Sequence, residues 1–207
     1  FAESERFQEV ERNRVTVLDR DAAITELLSE RNASTAAWGK LAKSSIWKSL
    51  PFPEGRKFED LPVTWKALCA SDSVAILDGD YYGYRDRKTS ISNSPGLNSI
   101  VDYDTSIQQI WTELKLSSNK QLRAKCFRCC LERCRLLEMI DRLTDSTTLG
   151  RDAEQILSRT RKCSAEFLRP YGAKAVGNSS ASFSQRLRIA VTAIFPRVYI
   201  MLMNLRE

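Results

Sequence analysis

From residue 96 onward the chain is written in a helical period, and that constrains its fold more than any other feature. Leu97, Ile100, Val101, Ile107, Ile110, Trp111 and Leu114 recur at spacings of three and four, which lays one apolar stripe along a helix. A second periodic run covers about 120–144. A third covers about 151–168, with Ala153, Ile156, Leu157, Thr160 and Phe167 on one side. The stretch YGAKAVGNSSAS, 171–182, then reads as a loop before a last helix over 183–205, bent at Pro196.

Residues 1–95 are different. VTVLD, 15–19, reads as a short strand, and DAAITELLSE as a helix with Asp21 as its cap. Trp38 to Ile46 reads as a short amphipathic piece. Pro51, Pro53 and Gly55 make a loop, and a helix then opens at Asp60 with Leu61, Trp65 and Leu68 on one face. SVAILDGDYYGYR, 73–85, breaks the helical period and predicts two extended segments around Gly79 and Gly83. The expectation is an α+β, predominantly α fold: a mixed portion over 1–95 and a helical subdomain over 96–207.

The net charge of +6 conceals an uneven distribution. Residues 1–114 hold 14 Lys/Arg against 18 Asp/Glu, whereas residues 115–207 hold 18 against 8. A basic second half suits a phosphate-rich partner: nucleotide, nucleic acid or anionic membrane. The chain has no histidine. That excludes Ser-His-Asp and Cys-His nucleophile pairs and the HExxH zinc site, and leaves a carboxylate as the base for any proton transfer near neutral pH. Four of the six cysteines crowd into CFRCCLERC as Cys126, Cys129, Cys130 and Cys134. One helix does not readily wrap a metal with four such ligands, and their spacing sets them on a face with Leu122, Leu137 and Ile140. They read as small buried hydrophobes carrying reduced thiols. No signal peptide is visible, and the apolar run at 189–203 is interrupted by Pro196 and Arg197 and is shorter than a bilayer span.

The motif with chemical content is FPEGRKFEDLPVTWKAL, 52–68, where Glu59 and Asp60 stand side by side at a helix start. Asp60 could cap the helix, its oxygen accepting backbone N–H bonds at the positive end of the dipole. That is the simplest reading of the bare sequence; the other is a general base, and a helix terminus that fixes the side chain serves both roles. Gly55, Arg56 and Lys57 are placed to border such a site.

Three stretches, in order, resemble the C-terminal half of bacterial family-2 glycosyltransferases. AWGKLAKSSIW (37–47) is similar to a Trp-Asn-Lys-Leu-Tyr-Lys segment, with Gly39 where the family has Asn and Ala42 where it has Tyr. FPEGRKFEDLPVTWKAL is similar to a Phe-Pro-x-Gly…Glu-Asp motif, and YYGYRDRKTSIS (81–92) to a Tyr-x-Tyr-Arg-x-Arg-x-x-Ser-Ile segment. The resemblance covers about residues 15–95. It implies the acceptor side of a GT-A, inverting transferase that moves a sugar from a nucleotide-sugar donor to a glycan or lipid-linked acceptor in surface or capsular polysaccharide synthesis. Asp60 would be the base that deprotonates the acceptor hydroxyl, with Glu59 an acceptor-positioning partner. Trp38 would contact the acceptor, and Arg85, Arg87 and Lys88 the departing diphosphate. The chain carries no cofactor site of its own on this reading. A divalent metal, Mg or Mn, is expected with an upstream nucleotide-binding half that these 207 residues lack. Asp78-Gly79-Asp80 has the letters of a metal motif but reads as a strand end and turn. Taken alone, the chain is expected to bind nucleotide sugar poorly and to turn over slowly or not at all.

The basic tail adds a further expectation. Lys120, Arg123, Lys125, Arg128, Arg133 and Arg135 crowd one helix. Arg186, Arg188 and Arg197 alternate with Phe183, Leu187, Ile194, Val198 and Leu202 on the last. Such a pattern suits peripheral docking on an anionic membrane from the cytoplasmic side; it also fits an ordinary bundle with a basic outer face. The rival to a transferase is a non-enzymatic basic helical module binding nucleic acid or a protein. Few aromatics interleave with its cations, which makes nucleic acid the poorer fit.

Overall fold

The structure is a computed structural model that describes residues 15–31, 33–79, 81–83, 85, 96–115, 118–146, 148–177 and 181–195. Among these residues the protein is predominantly helical, with a small sheet of two strands. Strand β1 is Val15–Asp19 and β2 is Ser73–Leu77; they run antiparallel, with Val15 opposite Leu77 and Asp19 opposite Ser73. Three short helices belong to the first portion: α1 (Arg20–Leu28), α2 (Ser44–Ser49) and α3 (Leu61–Cys69). Four longer ones follow: α4 (Leu97–Glu113), α5 (Asn119–Ser146), α6 (Arg151–Val176) and α7 (Phe183–Ile194).

Helix α5 is the axis of the molecule and packs against α1, α4, α6 and α7. Its 28 residues bury two sides. Cys129, Leu136 and Ile140 join Ile24, Leu27, Leu61, Trp65, Ile100, Ile107 and Ile110 in one cluster. Cys126, Cys130, Cys134 and Leu137 join Leu168 and Ile189 of α6 and α7 in another. All four clustered cysteines are fully buried, and burial raises every thiol, Cys129 to about 12 and Cys134 to about 11. They are packing groups, as their spacing predicts. Leu122, expected among them, is partly exposed. The first cluster draws on residues either side of 95, so the mixed and helical portions share one core.

Several boundaries differ from expectation. The cap of α1 is Asp19, whose Oδ1 accepts the Ala22 N–H at 2.8 Å; Asp21 lies inside the first turn. The amphipathic piece starts at Ser44, and Trp38 sits in a turn before it. Only one of the two extended segments over 73–85 is a strand in the described residues. Helix α6 does not stop near 168 but runs through Pro170 and Gly172 to Val176. Pro170 costs one backbone bond. The turns beyond it recover burial, since Gly172 and Ala175 pack inward. Gly172 lets α7 approach closely: a Cβ there would stand 3.1 Å from Ala193 Cβ. Helix α7 ends at Ile194, and the expected bend at Pro196 and the turns beyond it lie outside the described residues.

Candidate active site

Four basic residues of α5 are spent inward, while Arg123 and Arg142 stay exposed, which changes the surface the sequence suggests. Lys125 Nζ donates to Leu114 O at 2.7 Å, and Arg133 pairs with Asp104. Arg128 bridges Glu30 at 2.8 Å and Glu132 at 2.7 Å; Arg135 clasps Glu30 through both nitrogens at 2.7 and 2.8 Å. Tyr103 donates to Glu132 from the other side. Taking such charges out of water is tolerated only because each is paired. Burial alone would raise Glu30, but Arg135 and Arg128 hold it below the ordinary range.

This network also anchors a loop. Glu30 has a left-handed backbone (φ 52), uncommon for a residue with a side chain, and turns the chain toward residues 33–40. Thr35 fixes that loop twice: its Oγ1 accepts from Arg128 at 2.7 Å, and its carbonyl accepts from Thr64 Oγ1 at 2.6 Å. Lys40 donates to Ala36 O and, at 3.5 Å, to Ser34 Oγ, closing the loop on itself.

Asp60 faces this loop. It stands at the N-terminus of α3 with Pro62 behind it, yet its own backbone is helical (φ −74, ψ −33) and its side chain makes no capping bond to the α3 turn. Instead Oδ2 accepts the Ala37 N–H at 3.4 Å. Burial raises the Asp60 carboxyl above its ordinary value and the adjacent Glu59 charge raises it further, against the pull of the Ala37, Leu61 and Asp60 amides. Lys40 is in electrostatic reach: burial lowers its ammonium pKa, and the Asp60 charge opposes that. Two residues before Asp60, Phe58 is held at φ 56 while its ring packs on Tyr103 at 4.6 Å. A bulky residue in that region is strained, and strain of this kind is retained where surroundings over-determine it.

Trp38, adjacent to Ala37, is half exposed at 44% and stacks on Tyr82, 53% exposed, with centroids 5.1 Å apart and planes 13° from parallel. The three stretches singled out in the sequence therefore converge: 37–47 meets 52–68 through Ala37 and Asp60, and 81–92 meets 37–47 through Tyr82 and Trp38. Glu59 lies beside Asp60, half-buried. Arg85 is exposed, three residues beyond Tyr82. Arg87 and Lys88 lie outside the described residues, as does Asp80 of the Asp-Gly-Asp triplet. Among the described residues no group of three or more carboxylates and thiols is arranged to hold a metal ion.

The loop expected to border the site is tied to α4. Arg56 reaches α4, donating to Ser106 Oγ at 3.2 Å and Gln109 Oε1 at 3.4 Å, and the Lys57 N–H donates to Asp102 at 3.0 Å. These contacts hold the loop against α4. Two residues went unnoticed as site members. Tyr82 could have been found from the Tyr-Tyr pair in its motif, and Lys40 from being the lysine beside Trp38. No protein-family model, no curated protein and no solved structure matches the chain.

Proposed function

We propose that this chain is the acceptor side of an inverting glycosyltransferase of GT-A type, with Asp60 as the general base. The observation that carries the reading is a half-buried carboxylate at a helix start that accepts the Ala37 N–H of the neighbouring loop instead of capping its helix, and whose pKa is raised. A base of that kind keeps its proton affinity closer to the working pH than a solvated aspartate would. Beside it, the Trp38–Tyr82 pair offers an exposed aromatic face of the kind on which the apolar side of a sugar ring packs.

The acceptor hydroxyl would lie against Asp60, lose its proton to the carboxylate as oxygen attacks the anomeric carbon, and the nucleoside diphosphate would leave. Glu59 keeps Asp60 basic by its charge, and Lys40 opposes it, so the pair of neighbours tunes one group. Arg85, exposed among the described residues, would meet the leaving diphosphate. The departure at Gly39 is consistent with the resemblance: Gly39 has φ +71, a conformation that Gly and Asn tolerate better than other residues, and Asn is what the similar segment carries. A divalent metal would belong to the donor side and not to these residues.

The test is sugar transfer by the natural full-length protein with and without Asp60→Asn. Turnover should fall about 10²–10⁴-fold with donor binding retained; unchanged turnover excludes Asp60 as the base. On the 207 residues alone, oligosaccharide acceptors should quench tryptophan fluorescence, and Trp38→Ala should abolish that response. For the rival reading as a nucleic-acid module, Lys125, Arg128, Arg133 and Arg135 offer little, since they are engaged inside the protein, and its support rests on the remaining cations of the second half.

A further inference from the structure

Helix α7 presents a face that nothing in the described residues covers. Phe183, Leu187 and Ile194 are 73%, 50% and 67% exposed, and their spacing of four and seven aligns them on one stripe, continued by Phe195 at the helix end. The opposite side of the helix is accounted for. Ile189 and Thr192 are buried, Ala193 meets Gly172, and Arg188 pairs with Glu138 at 2.5 Å. Exposed single apolar residues are ordinary, but an aligned row of large ones on one helix is not.

The carboxylates that reach α7 from other elements, Glu138 at Arg188 and Glu30 at Gln185, meet residues off this stripe, and the chain's own charge along it has one sign. Residues 167–206 contain no Asp or Glu and six Lys/Arg. Of these, Arg186 lies three residues from Phe183, at the flank of the stripe. Arg169 is exposed on α6 three residues before Gly172, the point where α6 touches α7. An apolar row bordered by cations, with no carboxylate over forty residues, is complementary to a surface that is apolar within and anionic at its rim. Nucleic acid would leave the aromatic and aliphatic side chains against phosphate. A second copy would bring cation against cation.

We infer that the α7 face is a peripheral docking surface for an anionic lipid bilayer, with Phe183, Leu187 and Ile194 entering the interface and Arg169 and Arg186 meeting headgroups. No helix among the described residues is long and apolar enough to cross a membrane, so contact here is along the surface. This inference does not depend on Asp60 or on the transferase reading.

Vesicle flotation of the whole chain tests it, using phosphatidylcholine vesicles with and without one third phosphatidylglycerol. The protein should float with the anionic vesicles and stay behind with the neutral ones, and high salt should weaken the association. Phe183→Glu/Leu187→Glu should lower partitioning at least about tenfold. Both positions are exposed, so the circular dichroism spectrum should not change. Arg169→Gln and Arg186→Gln should each cost about fivefold. Absence of flotation, equal binding to both vesicle types, or undiminished binding by the glutamate variant overturns the inference. So does a dimer in sedimentation velocity that the glutamate variant converts to monomer, which would make the face a self-interface, or equally tight binding of a single-stranded oligonucleotide.

Discussion

Asp60 and Glu30 are carboxylates in the same loop region whose surroundings act in opposite directions, and their titration separates a site group from a structural one. Burial and Glu59 raise Asp60. A carboxyl with a folded pKa above its unfolded value binds its proton more tightly in the folded state, so the fold gains stability as pH falls through that value and loses it on ionisation. Asp60→Asn, which preserves an acceptor for the Ala37 N–H, should therefore be more stable than the parent at neutral pH in urea melts. The two proteins should converge as pH drops through the carboxylate range. A variant less stable than the parent at neutral pH would place Asp60 among the structural pairs. Glu30 is lowered by Arg135 and Arg128 against burial, so its contribution is present above the ordinary glutamate range and fades as pH falls through the folded value. Glu30→Gln leaves Arg128 and Arg135 sharing Glu132 in a buried network. It should cost about 3 kcal/mol at neutral pH in the same melts.

At the scale of elements, what could be read in advance was whatever local pattern decides. Helices α4 and α5 appear where the apolar period places them, and β1 spans the predicted residues. Local pattern fails where a contact distant in sequence decides. Pro170 and Gly172 look like a helix end, yet the burial of Gly172 and Ala175 and the contact with Ala193 carry α6 to Val176. The cations of α5 look like a surface row because their partners, Glu30 and Asp104, are far away along the chain. At the site, Asp60 and Trp38 could be named from motifs, but the stacking of Tyr82 on Trp38 is a tertiary event that no spacing announces. The α6–α7 contact can be checked directly. Gly172→Leu should cost about 1–3 kcal/mol through overpacking against Ala193 and Ile189. Combining it with Ala193→Gly should recover part of that loss, the coupling expected of side chains in direct contact. Strict additivity would mean the two helices do not meet there.

On the scale of the whole molecule, the question is whether the mixed portion and the helical portion are separate units or one. Their compositions differ, and a boundary at 95 follows naturally from that change. The packing argues the other way. Leu27 and Trp65 share a cluster with Ile107, Ile140 and Leu157, and the Glu30 carboxylate is the partner of both Arg128 and Arg135. Separating the portions would expose that cluster and leave two guanidinium groups with one carboxylate, Glu132, between them. Neither portion then has a low-energy state of its own in which its buried groups are satisfied, so the two should unfold together. Calorimetry should give a single transition with the calorimetric enthalpy equal to the van't Hoff enthalpy. Leu27→Ala, in the mixed portion, should lower the melting temperature of that one transition and not of a part of it. Two resolved transitions, with Leu27→Ala moving only one, would restore the boundary at 95. Asp60 would then sit in a unit able to evolve and act apart from its helices. A single transition means that the Arg128–Thr35 bond joins the candidate base's loop to the same cooperative core that carries α7.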